Sequence, residues 1–163
     1  MSDTQPTLFS LIEGAAIQPA AMALPQDKAI EEMEKLLKDG TDINALDQYG
    51  GTALIDACDR GLEEIALFLI EAGTDITIKE TTFNRTALHY AAEHAMLKTV
   101  TKLIELGLDV NHAGKKGMTP LITCCVNAHN ERIMNVKVTD SRGNAVKDHT
   151  ALDAEEHYKN FSR

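Results

Sequence analysis

Gly51-Thr52-Ala53-Leu54 returns down the chain as Arg85-Thr86-Ala87-Leu88, Met118-Thr119-Pro120-Leu121 and His149-Thr150-Ala151-Leu152. The threonines lie 34, then 33, then 31 positions apart. A period in this range marks a solenoid, in which each repeat is one supersecondary unit that buries its apolar face only by stacking on its neighbours. The period therefore decides the architecture, and it makes binding the expected class of function.

Asp47 to Lys79 shows the internal logic. Asp47-Gln48-Tyr49-Gly50 reads as a turn, with Gly50 free to take the positive φ of a tight reversal. Thr52 stands where an N-cap hydroxyl serves exposed backbone N–H groups. A short helix is expected over Ala53–Asp59, broken by Gly61. A second is expected over Glu63–Glu71, where Ile65, Ala66, Leu69 and Ile70 form a stripe of helical period. Gly73 supplies the left-handed cap. The pattern repeats with Thr86 as cap, Ala87–His94 as first helix, Val100, Leu103 and Ile104 as the second stripe, and Gly107 as terminator. One extra residue near Glu80 lengthens the connecting turn. Asp42, Asp75 and Asp109, spaced 33 and 34 apart, repeat the period independently.

Thr86-Ala87-Leu88-His89-Tyr90-Ala91-Ala92 and Leu103-Ile104-Glu105-Leu106-Gly107-Leu108-Asp109-Val110-Asn111 resemble the ankyrin repeat, with its Thr-Pro-Leu-His, paired alanines and Gly-x-Asp-Val-Asn. The resemblance covers residues 28 to about 128. It implies an all-α solenoid of stacked helix-turn-helix units, four to five repeats with irregular caps. An N-terminal capping repeat is expected over 7–46, with an extended loop at 17–27 around Pro19 and Pro25. Repeats at 47–79 and 80–113 follow, then a degenerate repeat at 114–139 and a C-terminal cap at 140–163. The segment 129–149 breaks the pattern: Arg132–Val136 lacks paired leucines, and Val136–Val138 with Ala145–Lys147 has the makings of a small hairpin. A closing helix is expected over Thr150–Lys159.

Composition narrows the function. The net charge of −9 disfavours nucleic acid or an anionic membrane surface as ligand and suits a partner with a basic face. No apolar run approaches the roughly 20 residues of a membrane span, and no basic n-region precedes an apolar core as in a signal peptide. Cys58, Cys124 and Cys125 fit neither a disulfide framework nor a zinc spacing, so a reducing cytosol is the expected home.

Chemistry-bearing residues have structural readings. His89 and His94 are five apart and so diverge by about 140° around a helix, unlike a metal-binding His-x-x-x-His pair. The resemblance places His89 in the turn scaffold; His112, His129, His149 and His157 read as surface residues. The cysteines fall at the small paired-alanine positions and act as apolar packers. Gly114-Lys115-Lys116-Gly117 lacks the order of a phosphate loop. Glu63 and Glu64 complement a helix macrodipole. No catalytic residue, cofactor or metal is expected.

In ankyrin proteins the turn tips and first helices line a concave face that grips another protein. Carried over by motif, that face comprises Gln48, Tyr49, Gly51, Asp59 and Arg60. The next repeat adds Thr82, Phe83, Arg85, Glu93 and His94, and the third adds Lys115, Lys116, Met118, Val126 and Asn127. Tyr49, Phe83 and Met118 are apolar groups on polar tips. An exposed aromatic beside arginine has the composition of an interface hot spot; the alternative is that Phe83 folds back over Glu80. A monomer is expected. Two other functions compete: an acidic inhibitor or immunity protein occluding a basic enzyme or toxin, and an enzyme built on 129–149.

Overall fold

The computed structural model describes residues 6–17 and 23–126. These contain seven α-helices and no strand: α1 (Leu8–Ala15), α2 (Gln26–Lys38), α3 (Ala53–Asp59), α4 (Glu63–Glu71), α5 (Ala87–Glu93), α6 (Leu97–Glu105) and α7 (Pro120–Val126). Three antiparallel pairs and the first helix of a fourth are thus in place. The first helices α1, α3, α5 and α7 pack in one row, and α2, α4 and α6 pack in a second. This is the all-α solenoid that the period demands. Asn127, the 129–149 segment with its expected hairpin, and the closing helix at 150–159 lie outside the described residues, as does 18–22 of the N-terminal loop.

The core runs unbroken between the two rows. Ile12, Met33, Leu54, Ile65, Leu69, Leu88 and Leu103 are all buried, joined by Ala57, Ala66 and Ala91, whose small side chains let neighbouring helices approach. Cys58 and Cys124 are buried at those alanine positions, while Cys125 is half-buried. Burial pushes the Cys58 thiol up and holds that of Cys124 at about 11, so both are inert packers as expected.

Helix ends follow the sequence closely. Thr52 Oγ1 accepts from the Ile55 N–H at 3.4 Å, and Thr7 and Ser10 cap α1 reciprocally at 2.8 and 3.1 Å. The helix of the next repeat stops at Glu93, with His94 as its C-cap rather than its last residue. Gly61, at φ 69°, turns the chain from α3 into α4; the equivalent residue in the next repeat is Ala95, held at φ 55°. A Cβ in that left-handed region is disfavoured.

The N-cap of α6 is Met96, whose side chain has no oxygen to cap the helix. Glu63, on the preceding second helix, does so instead, accepting from the N–H groups of Lys98 (2.9 Å) and Thr99 (3.4 Å). Its role is therefore to cap a neighbour, beyond complementing its own macrodipole. The recurring aspartates are turn anchors. Asp42, Asp75 and Asp109 each accept from the N–H two residues on, at 2.9 Å. Asn44 Oδ1 accepts from the Asp75 N–H at 2.8 Å, tying consecutive turns. Among the described residues no helix is long and apolar enough to cross a membrane.

Candidate functional site

Each repeat projects a loop ahead of its first helix, and these loops form three fingers side by side. The first spans Asp47–Gly51. Asp47 Oδ1 accepts from the N–H groups of Tyr49 and Gly51, both at 2.8 Å, and the loop closes through Asp47 N–H to Gly51 C=O at 2.9 Å.

The second finger, 80–85, is one residue longer. Its closing bond runs from Glu80 N–H to Arg85 C=O at 3.1 Å. Glu80 is buried, and its carboxylate accepts from the N–H groups of Thr82, Phe83 (2.9 Å) and Arg85 (3.0 Å). The extra methylene of glutamate over aspartate fits the extra residue of the loop. Sequence reasoning noted the insertion but not this carboxylate. The available signal was that an acid stands in phase at both positions, lengthened where the loop is lengthened.

The third finger, Gly114–Met118, has no acid. Gly114 occupies that position because a Cβ there would stand 2.9 Å from the Phe83 carbonyl oxygen. The loop closes by Gly114 N–H to Met118 C=O at 2.9 Å. It is held from the preceding repeat by His89, whose Nε2–H donates to the Met118 carbonyl at 3.0 Å. His89 Nδ1 accepts from the Thr86 N–H at 3.2 Å, which fixes the neutral tautomer. Burial pulls this imidazole down to about 4. His112, read from sequence as a surface residue, is part of the same assembly. Its Nε2–H donates to the Asn84 carbonyl at 3.0 Å, and its ring meets His89 edge-on at 5.7 Å.

The fingers are also bonded to one another. The Thr81 N–H (2.8 Å) and hydroxyl (2.7 Å) both donate to the Tyr49 carbonyl. The Lys115 N–H donates to the Phe83 carbonyl at 2.7 Å, and its Nζ to the Thr81 carbonyl at 3.2 Å. The middle finger is thus bonded to a neighbour on each side and the outer two to the middle one, while Tyr49 and Phe83 stand 57% and 51% exposed.

The candidate residues divide into two groups. Gln48, Tyr49, Thr82, Phe83, Lys115 and Lys116 lie exposed on the tips. Asp59, Arg60 and His94 are exposed at the far ends of α3 and α5; Met118 and Glu93 are half-buried and Gly51 is buried. Val126 ends α7. Arg85 is engaged internally. Its guanidinium stacks on Phe83 at 5.3 Å and on Tyr90 at 5.5 Å, and it pairs with Glu93 at 3.1 Å. Phe83 thus packs against Arg85. Burial, with the Glu80 carboxylate, lifts the Tyr90 phenol to about 12.

Arg60 is similarly used, pairing with Asp56 at 2.8 Å and reaching Glu13 at 3.9 Å. Burial raises the Asp56 pKa against that pairing. Asp59 is also raised by burial, with His94, Arg60 and Arg85 opposing and Glu93 adding to the rise. What the face offers chemically is shape, two aromatic edges and a band of charge. Among the described residues, no three histidine, cysteine or carboxylate side chains converge as a metal set.

Comparison with known proteins agrees with this construction. The family model described as ankyrin repeats in three copies matches residues 78–138. Alpha-latrotoxin-Lg1a of Latrodectus geometricus is 34% identical over 110 residues, which is 67% of this chain but 8% of the toxin. The probable 26S proteasome regulatory subunit p28 of Saccharomyces cerevisiae is 36% identical over 91 residues, 55% of this chain and 40% of the subunit. Protein fem-1 homolog A-like of Mus musculus is 32% identical over 88 residues, 54% of this chain and 13% of that protein. The chain therefore spans well under half the length of each of these relatives, and the likeness lies in the repeats.

Proposed function

We propose that this chain, which belongs to the ankyrin-repeat family, is a non-catalytic module that binds another protein through its finger tips and the exposed side of its first helices. One observation carries the reading. Tyr49 and Phe83 are exposed aromatics on loops whose backbones are hydrogen-bonded within each finger and to the neighbouring finger. Rigid aromatic groups present apolar contact area at little entropic cost on binding. Ankyrin repeats generally mediate protein–protein interaction, which supports the same class.

The test is affinity capture from a lysate of the source organism, with wild type beside a Tyr49→Ala/Phe83→Ala variant of matched melting temperature. A partner retained by wild type and lost by the variant is expected. Identical retention by both would reject the finger face as the site.

The net charge of −9 favours a second, finer reading, that the partner is a basic enzyme or toxin which this chain inhibits. Affinity for such a partner falls steeply with salt as electrostatic steering is screened. A complex insensitive to salt would argue against it.

A further inference from the structure

The closing bonds of the three fingers put equivalent residues at their tips. Each loop closes on a carbonyl, that of Gly51, Arg85 or Met118. Two positions before it stand Tyr49, Phe83 and Lys116 in turn, and all three are exposed. The tips are joined in the same register. The Tyr49 carbonyl accepts from the Thr81 N–H at 2.8 Å, and the Phe83 carbonyl from the Lys115 N–H at 2.7 Å. The row therefore reads aromatic, aromatic, cation. Lys116 keeps its place against its backbone preference: it sits at φ 63° and ψ 21°, a left-handed conformation that suits glycine better than lysine. Strain retained at an exposed tip points to a use for the side chain.

Other charges at the fingers are already engaged. Asp47 and Glu80 spend their carboxylates on backbone N–H groups of their own loops. Arg85 pairs with Glu93, and the Lys115 ammonium donates to the Thr81 carbonyl. Among the described residues no ion pair reaches Lys116, and no acidic residue stands between Gly114 and Val126. Resting on the protein-binding reading above, we infer that the row of tips receives an extended polypeptide segment with a carboxylate at fixed spacing from a large apolar side chain. The apolar side chain packs on Phe83, with Tyr49 extending the contact, and the carboxylate meets Lys116. Stacked helices lie ~10 Å apart. A polyproline-II segment advances ~3.1 Å per residue and presents the same face every three, so neighbouring tips address side chains about three positions apart. The net charge of −9 repels a polyanion such as nucleic acid, which favours an isolated carboxylate within a polypeptide. The third finger thus selects the direction of the segment by a charge opposite in sign to that of the chain as a whole, and a basic residue at that register is rejected.

The probe is a displayed library of random linear peptides, selected in parallel on wild type, Lys116→Gly, Lys116→Glu and Phe83→Ala. Lys116→Gly removes the ammonium and leaves the turn a residue that suits it, so a loss of binding there is not a loss of fold. Melting temperatures within a few degrees of wild type secure the other two. Wild type is expected to enrich peptides with an acidic residue about three positions from an aromatic or large aliphatic one. Lys116→Gly keeps the apolar position and loses the acidic one, and a wild-type-selected peptide binds it about tenfold more weakly, the loss of one charge-assisted contact. Lys116→Glu turns the preference at that position to a basic residue, and Phe83→Ala loses the apolar position. Peptides that need Phe83 but show no acidic preference, one at no fixed spacing, or one unchanged in Lys116→Gly would overturn the inference while leaving the binding reading intact. Selection of no peptide dependent on Phe83 would overturn both.

Discussion

The fingers at 47–51 and 80–85 are closed by a carboxylate, whereas the finger at 114–118 is closed by a histidine from the repeat before it. In the first two, the residue opening the loop reaches forward and gathers backbone N–H groups, two for Asp47 and three for Glu80. In the third, the opening residue is Gly114, which has nothing to reach with, and His89 grips the Met118 carbonyl instead. One loop geometry is therefore reached by two chemistries, one inside the finger and one between repeats. The first is indifferent to its neighbours; the second makes the third finger depend on the packing and protonation of α5.

The largest effect expected is common to all three. Leu69 and Leu103 are fully buried in the shared core, and Leu69→Ala or Leu103→Ala should each cost roughly 2–5 kcal/mol in chemical denaturation. A much smaller loss at one of them would mean that the repeats do not share one core.

Acid should separate the third finger from the others. The His89 pKa is depressed from 6.5 to about 4. Its stabilising contribution is therefore complete above the unfolded value and lost as pH falls from 6.5 toward 4. The shift corresponds to about 3 kcal/mol. In wild type, stability should decline across that window, whereas a His89→Gln variant should lose the histidine part of the slope. Urea midpoints at pH 7 and pH 4.5 measure both.

Glu80→Ala removes the acceptor of three N–H groups and should cost roughly 1–3 kcal/mol. Glu80→Asp leaves a side chain one methylene too short, and it should recover less than half of that cost. Deleting Thr82 together with Glu80→Asp recreates the geometry of the first finger and should recover most of it. Thermal denaturation of the three variants tests the match between side-chain and loop length. A smaller gain is expected at the turns behind the fingers. Ala95→Gly, which copies Gly61, should stabilise by at most about 1 kcal/mol, since relief of the positive φ is partly offset by the greater unfolded-state entropy of glycine.

Much of this was readable in advance. The helices of 47–79 coincide with their apolar stripes, because a local period of 3.6 and a Thr or Gly at each end leave few alternatives. Cys58 and Cys124 take their expected role because the period assigns them a packed position. The features that were not legible depend on closure in space. Nothing in a one-residue insertion states that Glu80 will turn inward, and nothing in the spacing of Arg85 states that Phe83, Tyr90 and Glu93 will surround it. The bond from His112 to the Asn84 carbonyl was not legible because the two residues lie 28 positions apart. The candidate binding residues followed from motif phase alone. The structure adds that the Arg85 side chain is engaged internally, stacked on Phe83 and Tyr90 and paired with Glu93.

The most direct test of a prebuilt finger is amide hydrogen exchange at Phe83 and Arg85. If the Glu80 carboxylate holds the tip, both amides exchange far more slowly than in a free loop. In Glu80→Gln they then speed up by at least tenfold while Leu88 and Ala91 in α5 keep their protection. Free-loop exchange at Phe83 and Arg85 in wild type, or rates unchanged by Glu80→Gln, would contradict it.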